Sequence, residues 1–178
     1  MFLSNLRFSN AKAYSGKIAM TDKTQAMRAL EGKRIAYEVM TYPDDMRDAE
    51  EIALYLDIEP ETVFKTLVVM PPDPGKKPLL VMVPADHQLD LKKLADVAGA
   101  KKLKMATHRE AEQLTGLQVG GISAVALLGK PFVVFIDNSA EQQSRIIISA
   151  GKRGVQLVLA VKDLIKLTNA RVVDVSVV

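Results

Sequence analysis

The sequence predicts an α/β protein of the α+β type, a single domain in which a mixed, largely antiparallel β-sheet or partial barrel is flanked by helices. Helix and strand patterns are intermingled along the chain, and several strand pairs are joined too tightly for parallel crossovers. The length of 178 residues, with 48% hydrophobic and 25% charged residues, is typical of one globular domain. No uninterrupted apolar run approaches the ~20 residues of a membrane span, so we expect no membrane partner.

The first half of the chain predicts two helices and three strands. Apolar residues recur at helical spacing over 26–32, alternate as in a strand over 35–41, and return to helical spacing over 49–56. Two runs of β-forming residues follow, Val63–Met70 and Leu79–Pro84. The Pro/Gly/Lys-rich loop between these runs favours an antiparallel hairpin.

The second half begins with two helices whose ends carry capping signals. Asp90 is a suitable N-cap for a helix that ends at Gly99. Thr107-His108-Arg109-Glu110 fits a capping box for a helix that ends at Gly116. The remaining patterns predict, in order, strands over 132–136, 145–149 and 155–159, a helix over 161–167 and a strand over 171–175.

Cysteine and histidine usage excludes several kinds of active site. The chain has no cysteine, which excludes a disulfide scaffold, a Cys-ligated zinc or iron–sulfur site and thiol catalysis by the protein. His87 and His108 are the two histidines, and neither lies at a spacing that suits a transition metal. We therefore expect no metal and no cofactor.

Positive charge is concentrated at the N-terminus. Residues 1–20 carry Arg7, Lys12 and Lys17 with no acid, which accounts for the whole formal charge of +3, so the sequence does not imply a globally basic nucleic-acid binder. This segment lacks the apolar core of a secretory signal. We expect residues 1–20 to be a disordered leader or an extension that results from a start codon assigned too far upstream. We expect residues 21–178 to form the functional domain and the protein to be cytoplasmic.

Lys65 is the first candidate site residue because it interrupts an apolar strand. Period-two alternation puts Lys65 on the same face as Val63, Leu67 and Val69. An ammonium group there either extends to solvent at a sheet edge or points into a cavity that receives an anion or a polar substrate. Alternation alone leaves both readings open.

The second candidate is the glycine-containing segment 116–123. The adjacent Gly120 and Gly121 permit positive φ and let a ligand approach backbone N–H groups, which then bind a carbonyl oxygen or a phosphate. A plain turn explains the two glycines equally well. The segment matches neither a Walker loop nor a dinucleotide fingerprint.

Two further candidates lie at strand ends. Lys152 and Arg153 stand at the tip of the predicted turn over 149–155, where they either keep a turn soluble or bind phosphate. Asp137 directly follows an apolar strand. It is either a functional carboxylate or a turn-former with the residues after it.

Four segments, in this order and at this spacing, carry a resemblance to a known family: Val63-Phe64-Lys65-Thr66-Leu67, Gln88-Leu89-Asp90-Leu91-Lys92-Lys93-Leu94-Ala95, Thr115-Gly116-Leu117-Gln118-Val119-Gly120-Gly121-Ile122-Ser123 and Gly151-Lys152-Arg153-Gly154. They resemble the YbaK family of freestanding aminoacyl-tRNA deacylases, which is related to the editing insertion domain of bacterial prolyl-tRNA synthetases. The resemblance runs from about Thr21 to the C-terminus. It is nearest to the Cys-tRNA(Pro) deacylase branch.

The resemblance implies the family's fold and a set of site residues. It implies that Lys65 faces an editing pocket and is needed for activity. It implies catalytic roles for Gly120, Gly121 and Ile122, which approach the substrate carbonyl and the terminal ribose. The implied substrate-binding residues are Tyr42, Ser123, Asp137, Lys152 and Arg153. Ala124 departs from the family pattern, which has proline after Gly-Gly-x-Ser, and this departure removes a fixed φ from the loop.

The activity that the resemblance implies is trans-editing: removal of mischarged cysteine from tRNA(Pro). The thiol of the substrate attacks its own ester, so the enzyme needs no nucleophile. The implied partners are the aminoacyl-tRNA acceptor end and a complex with prolyl-tRNA synthetase. Two alternatives stay open: a related hydrolase for alanine or another small amino acid, and a non-catalytic module that binds an acceptor end or a nucleotide, which Ala124 favours.

Overall fold

The computed structural model describes residues 22–178, and the expected leader over 1–20 lies outside the described residues. Five helices lie within that range: α1 Gln25–Gly32, α2 Ala49–Tyr55, α3 Leu91–Ala98, α4 His108–Thr115 and α5 Val161–Thr168. None of these helices has the length and apolar character that a membrane crossing requires. The same range contains ten strands: β1 Glu38–Thr41, β2 Val63–Met70, β3 Leu79–Pro84, β4 Gln88–Leu89, β5 Lys104–Met105, β6 Val133–Asp137, β7 Arg145–Ser149, β8 Val155–Ala160, β9 Arg171–Val173 and β10 Ser176–Val177.

The strands form one mixed sheet and a small two-stranded sheet. The main sheet has the order β1-β8-β7-β2-β3-β6-β9, with β5 paired to β2, and β4 pairs with β10. The predicted hairpin is confirmed, because β2 and β3 are antiparallel with Phe64 opposite Pro84. Three pairings are parallel (β2–β7, β3–β6 and β6–β9) and the other five are antiparallel. The predicted α+β fold, with a mixed and largely antiparallel sheet, is therefore confirmed.

The predicted helix caps form as expected. Asp90 Oδ1 accepts hydrogen bonds from the N–H groups of Lys92 and Lys93, at 2.9 and 3.0 Å. Thr107 and Glu110 form a reciprocal capping box at the start of α4. Gly116 ends α4 with a φ of +71°, a left-handed conformation that glycine adopts without a Cβ clash.

Two strands differ from the prediction because neighbouring groups take their hydrogen bonds. The strand expected over 35–41 begins at Glu38, since Arg34 is left-handed (φ +57°) and the Ile35 N–H bonds back to the Leu30 carbonyl to close α1. The strand expected over 171–175 ends with β9 at Val173, and β10 begins only at Ser176. Between them, the Val175 N–H donates to a carboxylate oxygen of Asp137 instead of a strand neighbour.

Apolar side chains form three clusters on the two faces of the sheet, and residues of β2 contribute to all three. Phe64 and Val68 belong to the largest cluster, on one face. On the other face, Val63 packs in a cluster with Ala53 of α2, while Val69 packs in another with residues of α3. Lys65 lies on this second face, between the two smaller clusters.

Candidate functional site

The candidate site is a cavity where the sheet opens between β2 and β7. Within the described residues these parallel strands pair only at Val63 and Phe64, and the same edge of β2 pairs again, with β5, at Val69 and Met70. The gap contains a cavity of about 180 Å³. This is below the roughly 300–1,000 Å³ of pockets for drug-sized ligands, so it suits a small group. Its lining consists of Arg47, Asp48, Ala49, Ile52, Val63, Phe64, Lys65, Thr66, Leu67, Val119, Gly120, Ile122, Ser149 and Gln156.

Lys65 contributes a half-buried cation to this cavity. Its Nζ donates a hydrogen bond to the carbonyl oxygen of Ala85 at 2.9 Å. Within residues 22–178, no carboxylate lies within 4.0 Å of this ammonium group. Because the charge has a neutral hydrogen-bond partner and no counter-ion, it is suited to an anionic or polar ligand. Lys65 therefore lines the cavity, and its role toward a substrate stays a prediction.

The glycine segment contributes Gly120 and Ile122 to the cavity wall. Gly120 has a φ of +91°, and a Cβ there would lie 3.6 Å from the Arg47 Cα. Arg153 fixes this wall from behind, since its Nε donates to the Val119 carbonyl oxygen at 2.7 Å. This contact brings the turn at 151–154 against the glycine segment.

Gly121 differs from its expected role. Its N–H donates to the Gln118 carbonyl oxygen at 2.8 Å, and it is absent from the cavity lining. A Cβ at Gly121 would lie 2.9 Å from the backbone N of Arg153. The backbone of the 151–154 turn, and not a ligand, therefore approaches Gly121 closely, and Gly121 lets the two segments pack together.

Gln156, which lines the cavity, and Tyr42, which does not, carry buried polar atoms. Tyr42 Oη and Gln156 Oε1 are buried and have no hydrogen-bond partner within the described residues. Burial raises the pKa of Tyr42 above its ordinary value, so the phenol stays protonated at neutral pH. The Tyr42 N–H donates to the Gly154 carbonyl oxygen at 3.0 Å, which anchors the segment before α2 to the 151–154 turn.

The cavity lining includes none of the five expected substrate-binding residues: Tyr42, Ser123, Asp137, Lys152 and Arg153. Ser123 is fully buried, and its Oγ accepts a hydrogen bond from the Ala126 N–H at 3.3 Å. Asp137 is also buried, and its two carboxylate oxygens accept from the N–H groups of Ser139 and Val175, at 3.0 and 3.1 Å. Lys152 is exposed and lies on the other side of the 151–154 turn.

The buried Asp137 carboxylate is held in its ionised form by those hydrogen bonds. Burial alone would raise the pKa of Asp137, but hydrogen bonds from Ser139, Val175 and Ser176 outweigh burial and hold the pKa below its ordinary value. The carboxylate therefore fixes the chain between β9 and β10. It is part of the scaffold and not of the cavity.

Sequence reasoning missed five polar residues of the cavity, one of which is Asp48, the N-cap of α2. Gln156 carries the same signal as Lys65, because it is a polar side chain in an apolar strand. Arg47, Thr66 and Ser149 carry no comparable local signal, since only the fold brings their segments together. Within residues 22–178, no three His, Asp or Glu side chains are gathered as a metal site requires.

Comparison with known proteins matches residues 43–167 to the aminoacyl-tRNA editing domain. A protein of Enterococcus faecalis (strain ATCC 700802 / V583), named "Putative Cys-tRNA(Pro)/Cys-tRNA(Cys) deacylase EbsC", is 37% identical over 156 residues, which cover 86% of this chain and 93% of that protein. A proline--tRNA ligase of Bacillus cereus (strain G9842) is 25% identical over 124 residues, 70% of this chain but 21% of the ligase.

A solved structure has the same fold over nearly its whole length. It is described as the "Crystal structure of a putative trans-editing enzyme for prolyl tRNA synthetase" and superimposes with a TM-score of 0.74. The two sequences are 26% identical, and the superposition covers 86% of this chain and 96% of the other. The likeness thus extends beyond the segments that line the cavity.

Proposed function

This chain belongs to the aminoacyl-tRNA editing domain family, and on that premise we propose that it is a trans-editing deacylase that removes mischarged cysteine from tRNA(Pro). The match confirms the family resemblance found in the sequence. One observation carries the proposal: Lys65, whose ammonium group has no counter-ion within the described residues, lines a small cavity together with Gly120. Such a cavity has room for a small aminoacyl group.

In this proposal Lys65 binds the terminal adenosine through its phosphate or ribose. The hydrogen bond from Lys65 to the Ala85 carbonyl oxygen fixes the position of the ammonium group before substrate arrives. A phosphate oxygen is a stronger acceptor for an ammonium group than a neutral carbonyl, because both partners are then charged. Binding therefore exchanges a weaker hydrogen bond for a stronger one and fixes the ester near the cavity wall.

The N–H groups of Gly120 and Ile122 are the proposed donors to the ester carbonyl. Both residues line the cavity, whereas the Gly121 N–H is already bonded to Gln118. Donors aimed at a developing oxyanion lower the barrier of acyl transfer, and the loss of one donor typically costs about 10²–10³-fold in rate. Gly121 then acts through position, by letting the loop pack against the 151–154 turn.

The proposed reaction uses the thiol of the substrate. The cysteine thiolate attacks its own ester carbonyl carbon, a C–S bond forms, and the C–O bond to the ribose breaks. The ribose oxygen takes up the proton that the thiol gave up, so the products are a thiolactone and tRNA with a free 3′-hydroxyl. This lyase-type release needs positioning and oxyanion stabilisation from the protein but no protein nucleophile.

A related hydrolase for alanine is the second candidate, and the small cavity favours it equally. Alanine lacks the thiol, so water would attack the ester and free alanine would leave. A single small group in a pocket is worth only about 1–3 kcal/mol of discrimination, so these two substrates differ by a few contacts. The non-catalytic module is less favoured, since Ala124 is buried in the core and Ser123 secures the turn that follows it.

We also propose that the partner enzyme supplies tRNA choice. The cavity would hold only the acceptor end, which carries little information about which tRNA is bound. A complex with prolyl-tRNA synthetase would deliver tRNA(Pro), and the work would take place in the cytoplasm, where that enzyme charges its tRNA.

The test is deacylation of Cys-tRNA(Pro) and Ala-tRNA(Pro), with the released product identified by mass. We expect faster loss of cysteine, released as the thiolactone or its hydrolysis product formed in solution. Cysteine blocked at sulfur by a methyl group is the matched substrate control, because it keeps the side chain but cannot attack. Equal hydrolysis of blocked and free cysteine would contradict the thiol mechanism, and turnover of alanine alone would move the enzyme to the hydrolase branch.

A further inference from the structure

A second and larger groove lies across the 151–154 turn from the cavity. Its volume is about 940 Å³, five times that of the cavity. Four cationic side chains and one carboxylate line it: Lys23, Arg28, Lys130, Lys152 and Asp22. Since the domain as a whole is close to charge balance, this is a local concentration of positive charge.

Most of that charge lacks an acidic partner within the described residues. Lys23 pairs with Glu31 at 2.8 Å. Lys130 donates to the Thr115 carbonyl oxygen at 2.9 Å, which leaves its charge uncompensated. Arg28 and Lys152 are exposed, and in residues 22–178 no carboxylate lies within 4.0 Å of either. Counting only the part of the chain that the structure describes, the groove therefore presents three cations without an acidic partner: Arg28, Lys130 and Lys152.

The groove and the cavity share one ridge, which consists of the loop 116–122 and the turn 151–154. Lys152 lines the groove, while the adjacent Arg153 donates to the carbonyl oxygen of Val119, which lines the cavity. The loop thus lines both sites, whereas the turn lines the groove and reaches the cavity wall only through the Arg153 hydrogen bond. A polynucleotide whose 3′ end occupies the cavity reaches the groove by crossing this ridge.

We propose that this groove binds backbone phosphates of the tRNA acceptor stem. The inference rests on the proposed function, because it takes the 3′ end to be in the cavity. The free cations come from three separate segments (α1, the chain after α4, and the 151–154 turn), an arrangement that suits an extended polyanion better than a single anionic group. Phosphate contacts fix orientation without reading sequence, so the groove adds affinity for any tRNA.

Another basic cluster, Lys101, Lys102 and Lys104, is less suited to this role. Lys104 pairs with Glu110 at 3.1 Å. Its strand, β5, pairs with β2 at Val69 and Met70, past the β2 residues that line the cavity. This cluster has no shared wall with the cavity, since none of its residues lines it.

The test compares two triple variants in binding to a short RNA hairpin that reproduces the acceptor stem with its unpaired 3′ ACCA end. The groove variant is R28Q/K130Q/K152Q. The matched control, K76Q/K77Q/K166Q, removes the same charge from exposed residues outside the groove. The single variants Arg28→Gln and Lys152→Gln avoid the Lys130 hydrogen bond and guard against a folding defect. Fluorescence anisotropy is measured between about 50 and 200 mM salt.

We expect wild type and control to lose affinity as salt rises, and the groove variant to lose much less. Three phosphate contacts correspond to a salt slope of about −2.1 to −2.7, which is about 20- to 40-fold over that salt range. Binding of the ACCA tetranucleotide alone should be equal in all three proteins. Equal hairpin affinity and equal salt slope in the groove variant and wild type would overturn the inference, as would an equal loss in the control.

Deacylation of aminoacyl-tRNA by the same proteins separates the two proposals. If wild type deacylates its substrate but the groove variant binds the hairpin normally, the groove inference alone fails. If hairpin binding depends on the groove but wild type releases no amino acid, the proposed reaction alone fails.

Discussion

Replacing Gly121 with alanine is expected to displace the loop that carries Gly120 and Ile122. An added Cβ would lie 2.9 Å from the backbone N of Arg153 and 3.0 Å from the carbonyl C of Lys152. Both neighbours are backbone atoms, so no side-chain rotation relieves the contact. The loop and the 151–154 turn must therefore move apart.

The size of this movement follows from the contact distances. Ordinary contact begins near 3.4 Å, so the two segments must separate by about 0.5 Å. Overpacking of this kind costs about 1–3 kcal/mol of stability. A misplacement of 1 Å can lower a rate about 10²-fold, and a shift of half that size predicts a loss of about tenfold.

Two measurements test this prediction, with two glycine controls. Urea unfolding gives the stability of Gly121→Ala, and deacylation of Cys-tRNA(Pro) gives its kcat/KM. Gly99→Ala is a control for strain, because its φ of +66° costs about 1–2 kcal/mol while a Cβ there meets nothing within 4 Å. Gly32→Ala has neither strain nor a close neighbour and should be neutral or slightly stabilising.

The pattern across the three variants decides the matter. We expect Gly99→Ala to lose stability but keep its kcat/KM, and Gly121→Ala to lose both. A Gly121→Ala protein with wild-type stability and activity would refute the packing argument. A loss of activity in Gly99→Ala of the same size would show that general destabilisation, and not loop position, sets the rate.

Three further predictions concern the scaffold around the site. Asp137→Asn should cost about 1–2 kcal/mol at neutral pH. Folding lowers the pKa of Asp137 below its ordinary value near 3.8, so the stability that its carboxylate contributes is complete above that value and is lost as pH falls through the folded pKa. Free energies of unfolding measured from pH 7 to pH 2 should therefore become equal for the two proteins only in acid. A stability difference that stays constant with pH would contradict this. Ser123→Ala should lose about 1 kcal/mol of stability, because the hydrogen bond from the Ala126 N–H is lost, but should keep its kcat/KM on Cys-tRNA(Pro). A loss of rate without a loss of stability would indicate that Ser123 contacts the substrate. Thr107→Ala should lose about 1 kcal/mol of stability with the capping box, measured by thermal unfolding. Thr168→Ala is the hydroxyl control, because Thr168 ends α5 and its Oγ1 donates to the Leu164 carbonyl oxygen instead of capping a helix start. An unchanged Tm for Thr107→Ala would mean that α4 is held by packing alone.

The sequence predicts those parts of the fold that local patterns determine. β2, β3 and β7 have the predicted bounds because each is an apolar run with a turn signal at its end. The Asp90 and Thr107 caps could be predicted from the sequence because their hydrogen bonds reach only two or three residues along the chain. The start of β1 was not, since a non-glycine residue, Arg34, takes the left-handed position that ends α1.

The candidate site divides in the same way. Lys65 was found because strand alternation puts a charge among apolar side chains, and the fold then decides that it meets a cavity. Gly121 and Gly120 look alike in the sequence, yet one packs against the 151–154 turn and the other lines the cavity. Ser123 lies in a loop and Asp137 ends β6. Only the folded structure shows that their side chains accept hydrogen bonds from the scaffold, from the Ala126 N–H and the Val175 N–H.

The most direct test of the account is the rate of Cys-tRNA(Pro) deacylation by Lys65→Ala compared with wild type and with Lys76→Ala, an exposed lysine outside the cavity. The account predicts that Lys65→Ala folds normally and loses about 10²-fold or more in kcat/KM, the scale of one lost charged contact at a transition state, while Lys76→Ala is unchanged. A folded Lys65→Ala protein that releases cysteine at the wild-type rate would contradict it.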